Sequence, residues 1–167
     1  MTQPLRDATV AELFAAHSQA LQLYARQWVG AVEADDVVQR VFVKMLASGR
    51  LPQDARTWLF RCVRNEAIGA WRSARRRGRR EQAVAADASE WFEARPEILL
   101  DARAAQSALE SLPDDQREVV MLRLWSGLTL AEVADVVGAA VSTVHARYQA
   151  ALESLRKIME VPCKNQE

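Results

Sequence analysis

Apolar residues fall at helical spacing over almost the whole chain. Val10, Leu13, Phe14, His17, Leu21, Tyr24 and Trp28 recur at intervals of three and four, one face of an amphipathic helix that Gly30 would end. In EADDVVQRVFVKML a second stripe runs through Val37, Val38, Val41, Phe42 and Met45, with Asp35 and Asp36 where a helix start favours acids. Gly49 and Pro52 mark SGRLPQDAR as a loop. A third helix is expected from near Thr57, with Leu59, Cys62, Val63, Ala67 and Ala70 inward and Gly78 at its end. Residues 81–96 are acidic and irregular and read as a linker. Further helices are expected over Ile98–Leu112 and, after Pro113, over 114–126, 129–137 and 142–159. No strand pattern or internal repeat stands out. The expected fold is all-α: two small helical domains, 1–80 and 98–160, joined by a flexible acidic linker, 81–97, and followed by a tail, 161–167.

Charge changes this picture. The formal net charge is zero, which by itself argues against a nucleic-acid binder. The distribution reverses that reading. Residues 56–80 carry nine arginines and one acid, Glu66, whereas residues 81–115 carry nine acids and two arginines. RSARRRGRR, Arg72 to Arg80, is the densest part. Such an asymmetry points to a polyanion site beside an acidic linker. The plainer alternative is a solvated helix end whose cations complement the helix dipole.

Other classes recede. No stretch approaches the roughly 20 apolar residues of a membrane span, and the N-terminus lacks the pattern of a secretory signal. Cys62 and Cys163 form no CxxC or His/Cys cluster, so neither a metal nor a cofactor is expected, and two thiols fit a reducing cytoplasm. Cys62 reads as a small core residue and His17 as a structural one. No phosphate-cradling glycine loop, nucleophile elbow or acid/base set suggests an enzyme.

The sharpest local motif is TLAEVADVVGAAVSTVHARYQAAL. Thr129 and Glu132 have capping-box spacing. Ala131, Val133, Ala134 and Val137 are small enough for two helices to cross closely, Gly138 supplies the turn, and Ser142 is placed to cap the next helix. With Val144, Tyr148, Leu152 and Leu155 inward, Thr143, His145, Ala146, Arg147 and Gln149 point outward. That is the pattern of a helix-turn-helix, whose second helix enters the major groove. An ordinary antiparallel helix pair is the alternative.

EADDVVQRVFVKML, DARTWLFRCVRNEAIGAWRSARRR and ALESLPDDQREVVMLRLWSGLTLAEVADVVGAAVSTVHARY occur in an order and spacing that resemble a bacterial RNA polymerase sigma factor of the extracytoplasmic-function (ECF) group. The resemblance covers residues 10–80 and 98–159 and implies sigma regions 2 and 4. It implies a cytoplasmic transcription initiation factor whose partners are core polymerase (clamp and flap), promoter DNA and an anti-sigma factor. The clamp-docking residues it implies are Asp35, Asp36, Gln39, Arg40, Phe42 and Val43, of which Asp36 and Gln39 match family positions. Arg40 stands where the family commonly has an acid. The loop GRLPQDART and the helix after it are implied to capture the melted −10 strand through Arg50, Arg56, Trp58, Phe60, Arg61, Arg64, Asn65, Arg72, Arg75 and Arg76. Asn65 matches a base-contacting position. The implied −35 reader comprises Thr129, Ser142, Thr143, His145, Ala146, Arg147 and Gln149.

Physical chemistry supports the −10 assignment independently. Single strands are held by a basic track interleaved with aromatic faces, here Arg56, Arg61, Arg64 and Arg72 among Trp58, Phe60 and Trp71. Phe60 is the aromatic expected to be exposed, and Trp58 and Trp71 are expected in the core. The acidic linker either mimics nucleic acid near the template strand or RNA path, or folds back on the arginines. Trp91 and Phe92 within it anchor a partner or dock on region 2. The recognition helix carries fewer cations than the family usually has, and residues 116–160 balance five basic against five acidic. Two rivals therefore stand: a helix-turn-helix regulator acting without polymerase, and a module that binds polymerase or an anti-sigma factor without initiating.

Overall fold

The computed structural model describes residues 3–4, 7–78 and 99–160. The expected linker 81–97 with Trp91 and Phe92, the tail 161–167 with Cys163, and Arg79 and Arg80 lie outside the described residues. The chain divides into two compact units, one built on the helices up to Gly78 and the other on the helices from Leu99.

The first unit holds α1 (Asp7–Ala25), α2 (Ala31–Ser48) and α3 (Ala55–Gly78). α1 stops short of Gly30. The amides of Trp28 and Val29 both return to the Ala25 carbonyl, at 3.0 and 3.3 Å, and tighten the chain into a turn. Gly30 instead precedes α2, so Glu33 is the acid of the first turn and Asp35 and Asp36 lie beyond it. Their expected role in starting the helix is thus taken by Glu33. Gly49 ends α2 in the left-handed region at φ 63°, its amide bonded to the Leu46 carbonyl. α3 starts earlier than Thr57 because Asp54 supplies a cap. Its carboxylate accepts from the Thr57 amide at 3.0 Å, and its carbonyl accepts from Trp58. Burial would raise the Asp54 pKa, but hydrogen bonding to Thr57 and the Arg56 charge outweigh it and hold the carboxyl below its usual value.

The loop between α2 and α3 is not wholly irregular. Arg50–Leu51 (β2) pairs antiparallel with Gln3–Pro4 (β1), Gln3 opposite Leu51. A two-residue ladder carries no hydrophobic period, so periodicity could not reveal it.

Leu21 and Tyr24 of α1, Val37, Val38, Val41 and Met45 of α2, and Leu59, Phe60, Val63 and Ala67 of α3 form the core. Each large aliphatic buried here contributes about 1.5–3 kcal/mol. Tyr24 meets Phe60 edge-on with ring centroids 5.6 Å apart, and Phe14 meets Phe42 at 5.0 Å. Two expectations are corrected. Phe60, expected exposed, is 1% exposed, and Phe42, implied as a docking residue, is buried under Phe14. Both lie on the helix face that meets α1, where exposure would open the core.

The second unit contains α4 (Leu99–Glu110), α5 (Asp114–Val120), α6 (Leu130–Val137) and α7 (Val141–Glu160). The helix expected over 114–126 does not stay α. At Met121 it widens into a π-helical turn, Met121–Trp125, closed by the Ser126 amide on the Met121 carbonyl at 3.2 Å. Met121 and Leu122 are buried there, while Leu124 and Trp125 remain exposed. Leu109, Leu112, Val119, Val120, Leu128, Val133, Val144 and Ala151 complete the core. Ala131, expected at the helix crossing, faces solvent.

The expected capping box is present at α6: Thr129 Oγ1 accepts from the Glu132 amide at 3.2 Å, and Glu132 Oε2 accepts from the Thr129 amide at 2.6 Å. Gly138 turns the chain at φ 71°. A Cβ there would meet nothing within 4 Å, so glycine is required by the backbone angle and not by space. α7 then begins at Val141, with the Val144 amide bonded to the Ala140 carbonyl. Ser142 therefore sits inside the first turn and does not cap it.

Candidate polymerase and nucleic-acid interfaces

α2 turns one face away from the core. Asp36, Gln39 and Val43 follow one another at spacings of three and four, so they share a stripe, and with Arg40 and Lys44 they line an open concavity of about 380 Å³. Val32 and Val43 are strongly exposed apolar residues on this helix. Asp35 is only partly exposed. Arg40 has an intramolecular partner: its Nε lies 3.7 Å from Glu66 Oε2 on α3, and Lys44 bonds Glu66 Oε1. The cation that departs from the family pattern is thus matched by the single acid of α3. Lys44 and Glu66 were missed from sequence, because only the helix crossing brings them together.

α3 carries the densest polar face. Arg61, Asn65, Arg72 and Arg76 are exposed. Their spacings of four, seven and four keep them within about 60° of one another around the axis. Trp71, expected in the core, is 37% exposed, and the Arg75 guanidinium lies 5.3 Å from its ring centroid. Trp71, Arg72, Arg75 and Arg76 line a second concavity of about 400 Å³. Arg76 Nη2 also donates to Ser73 Oγ at 3.2 Å. Arg56, Trp58 and Arg64 are half-buried, and Arg50 is exposed in β2. Nine of the ten predicted −10 residues therefore reach the surface at least in part, Phe60 being the exception.

Two neighbouring groups titrate abnormally. Burial and the Arg56 charge hold His17 below its ordinary value, so its imidazole is neutral, as a structural histidine should be. Burial pushes the half-buried Cys62 thiol up, and Glu66 adds to this against Arg61 and Lys44. Among the described residues, no cluster of three or more His, Cys, Asp or Glu is placed to hold a metal ion.

On α7, Ser142, Thr143, His145, Ala146 and Gln149 are exposed. Arg147 is half-buried, and its Nε lies 3.0 Å from Asp115 Oδ2 on α5. Asp114 beside it pairs with Arg117 at 2.6 Å. Thr129 is exposed at the start of α6 with its hydroxyl engaged in the cap.

The Sigma-70 region 2 family matches residues 13–77, and the Sigma-70, region 4 family matches residues 102–155. The chain is 30% identical over 161 residues to the ECF RNA polymerase sigma factor SigL of Mycobacterium tuberculosis, covering 92% of this chain and 90% of the relative. The chain belongs to the ECF sigma factor family. A second relative, the ECF RNA polymerase sigma factor EcfG of Rhodopseudomonas palustris, is 31% identical over 96% of the sigma factor's chain and 88% of its own. The fold agrees. RpoE from Bartonella quintana, solved with the anti-sigma factor NepR, superposes with TM-score 0.69 at 24% identity, over 91% of this sigma factor and 97% of that chain. CnrH, solved with the cytosolic domain of CnrY, gives 0.67 at 25% identity, over 94% and 91%. The region 2 match spans α2, most of α1 and nearly all of α3, and the region 4 match runs from within α4 well into α7.

Proposed function

We propose that this sigma factor binds core RNA polymerase through the exposed face of α2, holds the melted −10 strand on α3 and the β2 loop, and reads the −35 duplex with α7. Domain roles follow the same division: 1–80 as region 2, 81–97 as linker and 98–160 as region 4. The observation that carries the reading is the α3 face, where Arg61, Asn65, Arg72 and Arg76 lie in one exposed stripe beside Trp71 and Arg75. A melted strand offers phosphates along its length and ring faces at each base, and this face offers a cation or aromatic for both. Unstacking a base costs a few kcal/mol, and stacking returns about 1–3 kcal/mol per base, so capture of the strand sustains opening without a reaction being catalysed.

On α2, Asp36, Gln39 and Val43 make the polymerase contact, with Asp35 at its edge. Phe42 supports the helix from beneath and Arg40 is held by Glu66. The protein acts in the cytoplasm. Among the described residues no helix is long and apolar enough to cross a membrane. An anti-sigma partner is part of the proposal, since the related RpoE and CnrH are both solved with one protein partner bound.

The test is gel filtration of the chain with bacterial core polymerase, followed by permanganate reactivity of thymines in promoter fragments. Co-elution with reactive −10 thymines is the expected result. Tight duplex binding by the free chain without co-elution would instead establish a polymerase-independent regulator.

A further inference from the structure

From the Asp115–Arg147 contact we infer that Asp115 is a positioning residue for base readout at the −35 element. Its carboxylate holds the Arg147 guanidinium by Nε so that the two terminal nitrogens are presented to the major groove. The inference rests on the reading of α7 as the −35 helix. Arg147 lies on the outward side of α7 between Ala146 and Gln149, and its Nε meets Asp115 Oδ2 at 3.0 Å. A guanidinium has five N–H donors, and an Nε contact occupies one. The end-on pair on Nη1 and Nη2 is left for a guanine edge or a phosphate, the bidentate use to which arginine is suited.

The pair is a poor candidate for a stabilising bridge. Arg147 and Asp115 side chains are 33% and 49% exposed, and pairs so exposed contribute about 0–1 kcal/mol at most. Arg147 could also have been left to solvent, as Arg156 is on the same helix. Asp115 is free for this task because Asp114, its neighbour, takes Arg117. Ordering a long side chain before binding lowers the entropy lost when it docks. An acid near a phosphate-rich partner carries an opposing electrostatic penalty, and this separates positioning from repulsion. Positioning predicts that removing Asp115 lowers base discrimination even though overall attraction to DNA rises. Repulsion predicts a uniform gain with discrimination intact.

Holoenzyme reconstituted from the full chain and bacterial core polymerase would be incubated with a duplex library randomised over both promoter elements, and bound species sequenced. Arg147→Ala should reduce preference at one or two −35 base pairs by about tenfold or more. Asp115→Ala should reduce it at the same base pairs by about 2- to 10-fold, with non-specific binding unchanged or tighter. Asp115→Glu should restore part of it, and Asp115→Ala should add nothing in an Arg147→Ala background. Unchanged melting temperatures would separate these effects from loss of folding, and Asp115→Asn gives an isosteric check. If Arg147→Ala shifts the preference and neither Asp115→Ala nor Asp115→Asn does, the positioning role is overturned and the −35 reading survives. If the wild type selects no −35 sequence, or Arg147→Ala selects the same one, the −35 reading fails and takes the inference with it.

Discussion

α3 and α7 both present arginine to the surface, but only on α7 does an acid from another helix of the same unit meet the central one. The single acid of α3, Glu66, is turned toward α2, where it holds Arg40 and Lys44. The arginines along the outer face of α3 therefore share their helix with no acid that faces them. On α7, Arg147 is held by Asp115 and Lys157 by Glu153 at 2.8 Å. Uncompensated charge binds any phosphate backbone and depends steeply on salt. Charge held in one orientation gives up raw attraction and gains geometry, which base reading requires. The two helices thus suit different forms of one promoter: α3 a melted strand, α7 an intact duplex. This also accounts for the charge balance that set region 4 apart in the sequence. A near-neutral recognition helix has its few cations committed to positions.

The largest effect should come from Phe60. Its burial beside Tyr24 predicts that Phe60→Ala destabilises the first unit by about 3–5 kcal/mol in chemical denaturation. Trp71→Ala should leave stability nearly unchanged and weaken DNA capture. The reverse outcome would restore the exposed-aromatic role to Phe60. Next, Asn65→Ala should remove about 1–3 kcal/mol of discrimination at the −10 element with little change in salt dependence, read by competition between promoter variants. Thr129→Ala breaks the capping box and should lower the stability of the second unit by about 1 kcal/mol, seen in thermal melts, with −10 opening intact at temperatures below the transition. The smallest effect is from His17. Its pKa is lowered in the folded state, so the unfolded chain takes up the proton first as pH falls through the ordinary 6.5. Stability of the first unit should therefore be full above that value and decline below it. His17→Gln should flatten the dependence of melting temperature between about pH 7.5 and 5.5.

Phe60 and Trp71 show what the sequence could and could not tell. Eleven residues separate them, so they lie within about 20° of each other around α3 but about 16 Å apart along it. Periodicity gives the azimuth of a side chain, not how far the neighbouring helices extend. The buried residues of α3 end at Ala67, so Phe60 is covered and Trp71 is not. Local chemistry was readable: the Thr129–Glu132 box, the Gly138 turn and the core stripe of α2 depend on residues a few positions apart. The helix starts at Ala31 and Ala55 were not, since Gly30 and Asp54 outcompeted the acids and threonine that periodicity favoured. Contacts between helices, Arg40 with Glu66 and Arg147 with Asp115, leave no trace in spacing along the chain. The β1–β2 ladder is too short to have one.

The measurement that bears most directly on the contrast between the helices is the salt dependence of promoter binding by reconstituted holoenzyme. It should be compared for the wild type, Arg72→Ala/Arg75→Ala/Arg76→Ala and Arg147→Ala. The account predicts that the triple variant flattens the slope of log affinity against log salt by about 2–3 and weakens all promoters alike. Arg147→Ala should change the slope by about one at most and lose −35 preference. Equal slopes and equal loss of preference in the two variants would contradict it.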